Sequence, residues 1–257
     1  MQTSTTRKIE IQDVALECLW LAQSGATRTI VFLHEGLGSV AMWRDFPARL
    51  CAACGTNGLV YSRAGYGQSS SLQFPRRREF MHDEARDVLP GVCAAFDIEH
   101  PILLGHSDGA SIVLLYSAFF PQRPIASVVL APHIMVEDMS LAAILRARKA
   151  FEETGLRERL TRYHADVDGA FYGWNDIWLD PAFRGWSIVD FLQNIRTPLL
   201  VIQGEEDEYG SMLQIDGIGR HVPHATLLKL SHCGHSPHRD QSPSVIRAVR
   251  EFLERTG

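Results

Sequence analysis

Pro101-Ile102-Leu103-Leu104-Gly105-His106-Ser107-Asp108-Gly109-Ala110-Ser111 decides how this chain reads. An apolar run of strand length feeds Gly-x-Ser-x-Gly, and an apolar stretch of helical length follows at once. The pattern reads as a nucleophile elbow, a strained strand-to-helix turn that lifts a serine hydroxyl into the open. Glycine is expected at both flanking positions because a side chain there would crowd neighbouring backbone. The serine also gains a helix N-terminus, whose free N–H groups favour developing negative charge. Alone, the pentapeptide fits a glycine-rich βα turn in any α/β protein, so its partners must decide.

The partners follow in order. Residues 198–204 read as a buried strand, and Glu205-Glu206-Asp207-Glu208 comes directly after it. Residues 225–230 read as another strand, followed by Ser231-His232-Cys233-Gly234-His235-Ser236-Pro237. Serine, acid and histidine therefore each fall at the C-terminal end of a strand, in that chain order.

These motifs resemble those of the α/β-hydrolase superfamily, over nearly the whole chain. Gly105-His106-Ser107-Asp108-Gly109 resembles the family's nucleophile motif, and Gly204-Glu205-Glu206-Asp207 its Gly-x-x-Asp acid loop. Gly234-His235-Ser236-Pro237, with Asp240 and Pro243 beyond, resembles its histidine loop. Arg63-Ala64-Gly65-Tyr66-Gly67-Gln68-Ser69 resembles the turn after the fourth strand, with Ala64 where the family usually has glycine. The resemblance implies Ser107 as nucleophile, His235 as general base and then acid, and Asp207 as the group that orients it. Glu205, Glu206 and Glu208 compete with Asp207, which alone stands three residues past Gly204. His232 and His238 compete with His235, which alone follows glycine and precedes x-Pro.

The same resemblance implies an oxyanion hole. One N–H comes from the residue after the nucleophile, Asp108, and the other from His34-Glu35-Gly36-Leu37-Gly38-Ser39. If Gly36 is the family glycine, Leu37 donates, which is the favoured alignment; if His34 is the family histidine, Glu35 donates instead. The Glu35 side chain reads either as a contact for a cationic substrate group or His235, or as a salt bridge within its loop. His106 reads as a substrate contact or as packing beside the elbow. Asp108 reads equally as an acid at a helix start.

Periodicity supports the implied architecture. Strands are expected at residues 7–11, 14–22, 29–33, 58–62, 102–104 and 125–131, alternating with helical stretches at 79–96, soft at Pro90-Gly91, and 108–120. Such alternation implies βαβ units and a mainly parallel sheet. The rhythm breaks between His133 and Asp190, where residues 141–151 and 156–164 read as helices and Ser187 as a cap for a short helix. A structureless loop of that length is unexpected in a compact domain. The expected fold class is α/β, and the resemblance implies an α/β-hydrolase fold with a mostly parallel eight-stranded sheet flanked by helices. Residues 1–132 and 191–257 are expected to form the core, and 133–190 a helical cap inserted after the sixth strand, where the family commonly carries its cap.

Composition agrees with a globular enzyme: 257 residues, 46% hydrophobic, 21% charged, net charge −5. An acidic balance argues against nucleic acid as the main partner. The five cysteines form no paired framework, and Cys51-Ala52-Ala53-Cys54 has no second pair to complete a zinc site. No metal, cofactor, membrane or signal segment is implied, and the cytoplasm is the expected compartment. Gly36-Leu37-Gly38 is too short for a dinucleotide loop. Within the cap, Phe171, Tyr172, Trp174, Trp178 and Trp186 read either as an aromatic acyl pocket, with Trp174 and Trp178 as its candidates, or equally as the cap's own core; His133 is a candidate for the pocket mouth. Arg146, Arg148, Lys149, Arg157, Arg159 and Arg162 read as a basic lid for an anionic group or, more simply, as a solvated face with i,i+4 pairs. The expected function is a serine hydrolase of a small carboxylic ester, thioester or lactone, working through an acyl-enzyme. The rival readings are a C–C bond hydrolase of the meta-cleavage type and a ligand-binding protein on the same fold without turnover.

Overall fold

The computed structural model describes residues 2–72 and 75–256, so the expected outer bounds, residues 1 and 257, lie outside it. Strands β1 (Gln2–Ile11) and β2 (Val14–Gln23) open the chain, followed by β3 (Thr29–Leu33), α1 (Phe46–Cys54) and β4 (Asn57–Tyr61). Helices α2 (Phe80–Asp83) and α3 (Leu89–Ala94) flank a π-helical turn at Glu84–Val88. Then come β5 (Ile102–His106), α4 (Asp108–Phe119) and β6 (Ala126–Leu130). Four helices precede the next strand: α5 (Asp138–Glu153), α6 (Leu156–Leu160), α7 (Val167–Leu179) and α8 (Val189–Leu192). The chain ends with β7 (Leu199–Gly204), α9 (Met212–His221), β8 (Thr226–Leu230), α10 (Pro237–Asp240) and α11 (Ser242–Thr256).

The eight strands form one sheet in the order β1-β2-β4-β3-β5-β6-β7-β8. β1–β2 and β2–β4 are antiparallel and the remaining pairs parallel. The first hairpin turns through Gln12 and Asp13, both at positive φ (50° and 63°), the backbone that matches strand twist across a two-residue loop. It runs five residues further back than residue 7, because exposed polar positions in β1 carry no alternating apolar signal.

The fully buried strands serve two cores at once. Val31 and Leu33 of β3 point into one cluster, with Ile112 and Leu115 of α4, while Ile30 and Phe32 point into the other, with Leu50 of α1 and Val249 of α11. Phe171, Trp174 and Trp178 of α7 join the first cluster, so the helices between β6 and β7 share an apolar core with the sheet's helical layer. The expected soft point in the 79–96 helix is the π turn, one turn before Pro90. Proline lacks the N–H that the carbonyl four residues earlier would accept, and the register widens to compensate. Ser187 is not the cap of α8: Ile188 holds that position, and Ser187 lies one residue before it, its hydroxyl accepting from the Val189 N–H at 3.2 Å.

Candidate active site

β5 delivers the chain into a turn that only this local sequence permits. Ser107 adopts φ 53° and ψ −118°, a strained backbone for a residue with a side chain. A Cβ at Gly105 would run into the Gly109 carbonyl, and one at Gly109 into the Leu33 carbonyl of the neighbouring strand. The two glycines thus let elbow, helix and strand close on one another.

At that turn, Ser107 Oγ lies 2.9 Å from His235 Nε2, and His235 Nδ1 lies 2.8 Å from Asp207 Oδ1. Asp207, in the loop after β7, is buried and also accepts from the N–H groups of Tyr209 at 2.8 Å and Gly210 at 3.2 Å. Burial opposes its ionisation, but the His235 hydrogen bond and charge, with the Tyr209 N–H, outweigh burial and hold its pKa below the usual carboxylate range. A carboxylate only accepts, so His235 Nδ1 carries the proton and Nε2 is left to accept from the serine hydroxyl. The competing groups lie elsewhere. Glu206 pairs with exposed His232 at 3.2 Å, and Glu208 accepts the His235 backbone N–H. His238 is buried against Trp43 and His106.

The loop between β3 and α1 faces Ser107. Glu35, Gly36 and Leu37 border the same cavity as Ser107, Asp108 and His235. Neither the Leu37 N–H nor the Asp108 N–H has a hydrogen-bond partner among the described residues. Three contacts from distant segments pin this loop. His34 Nδ1 donates to the Glu35 carbonyl at 2.6 Å, while its Nε2 accepts from the Arg63 N–H at 3.0 Å. Arg63, fully buried, donates to the same Glu35 carbonyl at 2.9 Å. His164, in the turn after α6, accepts from the Gly67 N–H and donates through Nε2 to the Leu37 carbonyl at 3.1 Å.

The Glu35 side chain approaches His106 Nδ1 at 3.5 Å and Arg239 at 3.4 Å, and not His235. Burial resists its charge, but the contact with His106 and the charges of His106 and Arg239 prevail, and its pKa falls well below the ordinary value. His106 is buried and donates through Nε2 to the His235 carbonyl at 2.7 Å, which props the histidine loop, and it also borders the cavity. The Asp108 carboxyl is buried between Arg63, at 3.9 Å, and the Trp178 indole N–H, at 3.2 Å. Burial raises its pKa despite the Arg63 charge. His133, Trp174 and Trp178 border the cavity, together with Ile144, Tyr209 and Ser236. Tyr209 and Ile144 were invisible to motif reading, since their side chains reach the cavity only through tertiary packing.

The cavity is about 120 Å³, and among the described residues no Lys or Arg borders it. Of the basic residues of α5 and α6, Arg148 pairs with Glu152 and Asp176, Lys149 with Glu153 and Arg157 with Asp168, as on a solvated face with paired charges. None of Arg146, Arg148, Lys149, Arg157, Arg159 and Arg162 borders the cavity. Among the described residues no cluster of His, Cys, Asp and Glu is arranged to hold a metal, and no helix is long and apolar enough to cross a membrane.

A family model described as the alpha/beta hydrolase family matches residues 30–248. The chain belongs to that family. Its strand order, its parallel strands and the elbow after β5 are those of an α/β-hydrolase fold, and membership places it among hydrolases. A bifunctional esterase/perhydrolase of Acinetobacter calcoaceticus is 24% identical over 210 residues, which cover 70% of this chain and 74% of that protein. Among solved structures, a carboxylesterase of Nitrososphaera gargenis superposes with TM-score 0.78 at 16% identity, covering 98% of both chains. A 2-hydroxy-6-oxo-6-phenylhexa-2,4-dienoate hydrolase of Rhodococcus superposes with TM-score 0.77 at 15% identity, covering 99% of this chain and all of the other. At such identities the two superpositions speak for the fold.

Proposed function

We propose that this α/β-hydrolase is a serine hydrolase that cleaves a small carboxylic ester, thioester or lactone through an acyl-enzyme. The observation that carries the reading is the unbroken hydrogen-bonded line Ser107–His235–Asp207 beside a cavity. In the proposed reaction, His235 Nε2 takes the Ser107 proton as Oγ attacks the carbonyl carbon. Asp207 keeps the imidazole in the accepting tautomer and stabilises the imidazolium. The N–H groups of Leu37 and Asp108 receive the developing oxyanion; each such donor typically supplies about 10²–10³ in rate. The imidazolium then protonates the leaving alcohol, thiol or lactone oxygen, and the same histidine activates water for release of the acid. Residues 133–190 act as a cap that covers this site, with Trp174 and Trp178 against the acyl group. The esterase name of the Acinetobacter relative supports an oxygen ester over a C–C substrate. Five free cysteines suit a protein that works in a reducing cytoplasm.

Intact-protein mass after exposure to a fluorophosphonate tests the reading. One adduct is expected, absent in Ser107→Ala, with ester turnover in that variant reduced at least about 10⁴-fold. A folded chain that takes up no adduct would sink it and bring forward a ligand-binding protein without turnover.

A further inference from the structure

The proposed reaction makes no use of His133, which nevertheless stands at its centre. Its ring lies 5.7 Å from that of His235 and 5.1 Å, edge-on, from that of Trp178. The residue is 3% exposed. Its backbone is held on both sides by Ser111 of α4, whose Oγ donates to the His133 carbonyl at 2.6 Å and accepts from its N–H at 3.3 Å. A ring so packed has little freedom to turn away.

Burial, reinforced by the neighbouring His235 charge, drives the His133 pKa down to about 3, so the imidazole is neutral at ordinary pH. A neutral imidazole has one N–H and one lone pair. Among the described residues Nδ1 is buried and has no partner. Nε2 accepts or donates no hydrogen bond among them either, it is not sealed off as Nδ1 is, and the residue borders the cavity, so Nε2 is the nitrogen left to meet a ligand. An orphaned buried N–H is rarer in proteins than an under-satisfied acceptor. The favoured tautomer therefore leaves the lone pair on Nδ1 and presents Nε2–H to the cavity.

The charges around the cavity narrow what this donor meets. Glu35, which Arg239 approaches from outside the lining at 3.4 Å, borders the cavity as an anion, and among the described residues no Lys or Arg borders it. A carboxylate or phosphate on the substrate would lose its hydration without gaining a counter-charge. An uncharged oxygen gains a partner in His133, on a wall where Leu37, Ile144, Trp174 and Trp178 supply apolar surface and Tyr209 and Ser236 also lie.

We infer that His133 is a specificity-determining residue that donates from Nε2 to an uncharged oxygen acceptor of the substrate, an ether, carbonyl or hydroxyl oxygen apart from the scissile ester. The inference rests on the serine-hydrolase reading and names its substrate class: compact, uncharged esters that carry a second oxygen.

Matched esters test it. p-Nitrophenyl methoxyacetate and p-nitrophenyl butanoate differ by one ether oxygen on the acyl side; 2-methoxyethyl and butyl esters of one acid differ likewise on the alcohol side. The readout is the kcat/KM ratio of oxygen-bearing to alkyl ester within each pair, which cancels changes common to both. In His133→Phe that ratio should fall about five- to tenfold in at least one pair, the value of one neutral hydrogen bond. His133→Gln, which keeps a side-chain donor, should recover much of it. Ratios unchanged by His133→Phe in both pairs would overturn the inference, as would a loss that His133→Gln leaves uncorrected. Fluorophosphonate labelling of every variant separates the two levels. A wild-type chain that is not labelled overturns the hydrolase reading and this inference with it, whereas labelled variants with unmoved ratios overturn this inference alone.

Discussion

A methyl group added at Gly105 would meet the Gly109 carbonyl, and that backbone cannot move without displacing Ser107. Gly105→Ala should therefore destabilise the fold by about 1–3 kcal/mol, read as a lower urea midpoint, and reduce labelling of Ser107 in the molecules that stay folded. Asp207→Asn tests a different part of the site. It keeps the shape but lets the amide N–H face His235, which favours the wrong tautomer; kcat should fall about 10⁴-fold with little change in thermal stability. A loss under tenfold would mean that Asp207 does not orient His235. The residues of this line were legible in the sequence because each sits in a short motif at a strand end. The residues that brace them were not. Glu35 and Arg239 are 204 positions apart, and His164 and Leu37 127 apart, and no local pattern announces pairs at such separations.

The apolar pattern found the helix at 141–151, which α5 extends to Asp138–Glu153, and it failed where tertiary demands prevail. The 156–164 stretch ends its helix at Leu160, which frees His164 to turn inward between two backbone groups. That turn makes a prediction about a whole element. His164→Phe preserves bulk but leaves the Gly67 N–H and the Leu37 carbonyl unpartnered, a loss of about 1–3 kcal/mol in stability. Because the Leu37 loop faces Ser107, kcat should fall while KM changes little. Equal kcat values for variant and parent on the same ester would show that the loop holds its shape without this contact.

Across the whole molecule, burial is the first cause of lowered pKa values at His34, His82, His133, His164 and His238. The unfolded chain binds protons at these five positions near pH 6.5, while the folded chain does so only at lower pH. Stability is thus fully present above that value and lost as pH falls below it, by up to about 1.4 kcal/mol per pH unit for each histidine. Asp108 and Glu84, whose pKa values are raised by burial, act in the opposite sense but are fewer. The urea midpoint should drop clearly between about pH 7 and pH 5; a flat midpoint would contradict the neutral-histidine assignment. The architecture itself was readable because fully apolar strands alternate with helices. How the β6–β7 helices sit on the sheet was not, since their tryptophans serve a core and a cavity with the same side chains. Those contacts have a mechanical meaning. Trp174 lies where any Cβ on Gly36 would go, His164 holds the Leu37 carbonyl, and Trp178 holds Asp108. The loop that carries Leu37 and the elbow that carries Asp108 are both latched to the helices between β6 and β7. Any displacement of those helices would be felt on both sides of Ser107 at once, so the three parts must settle together.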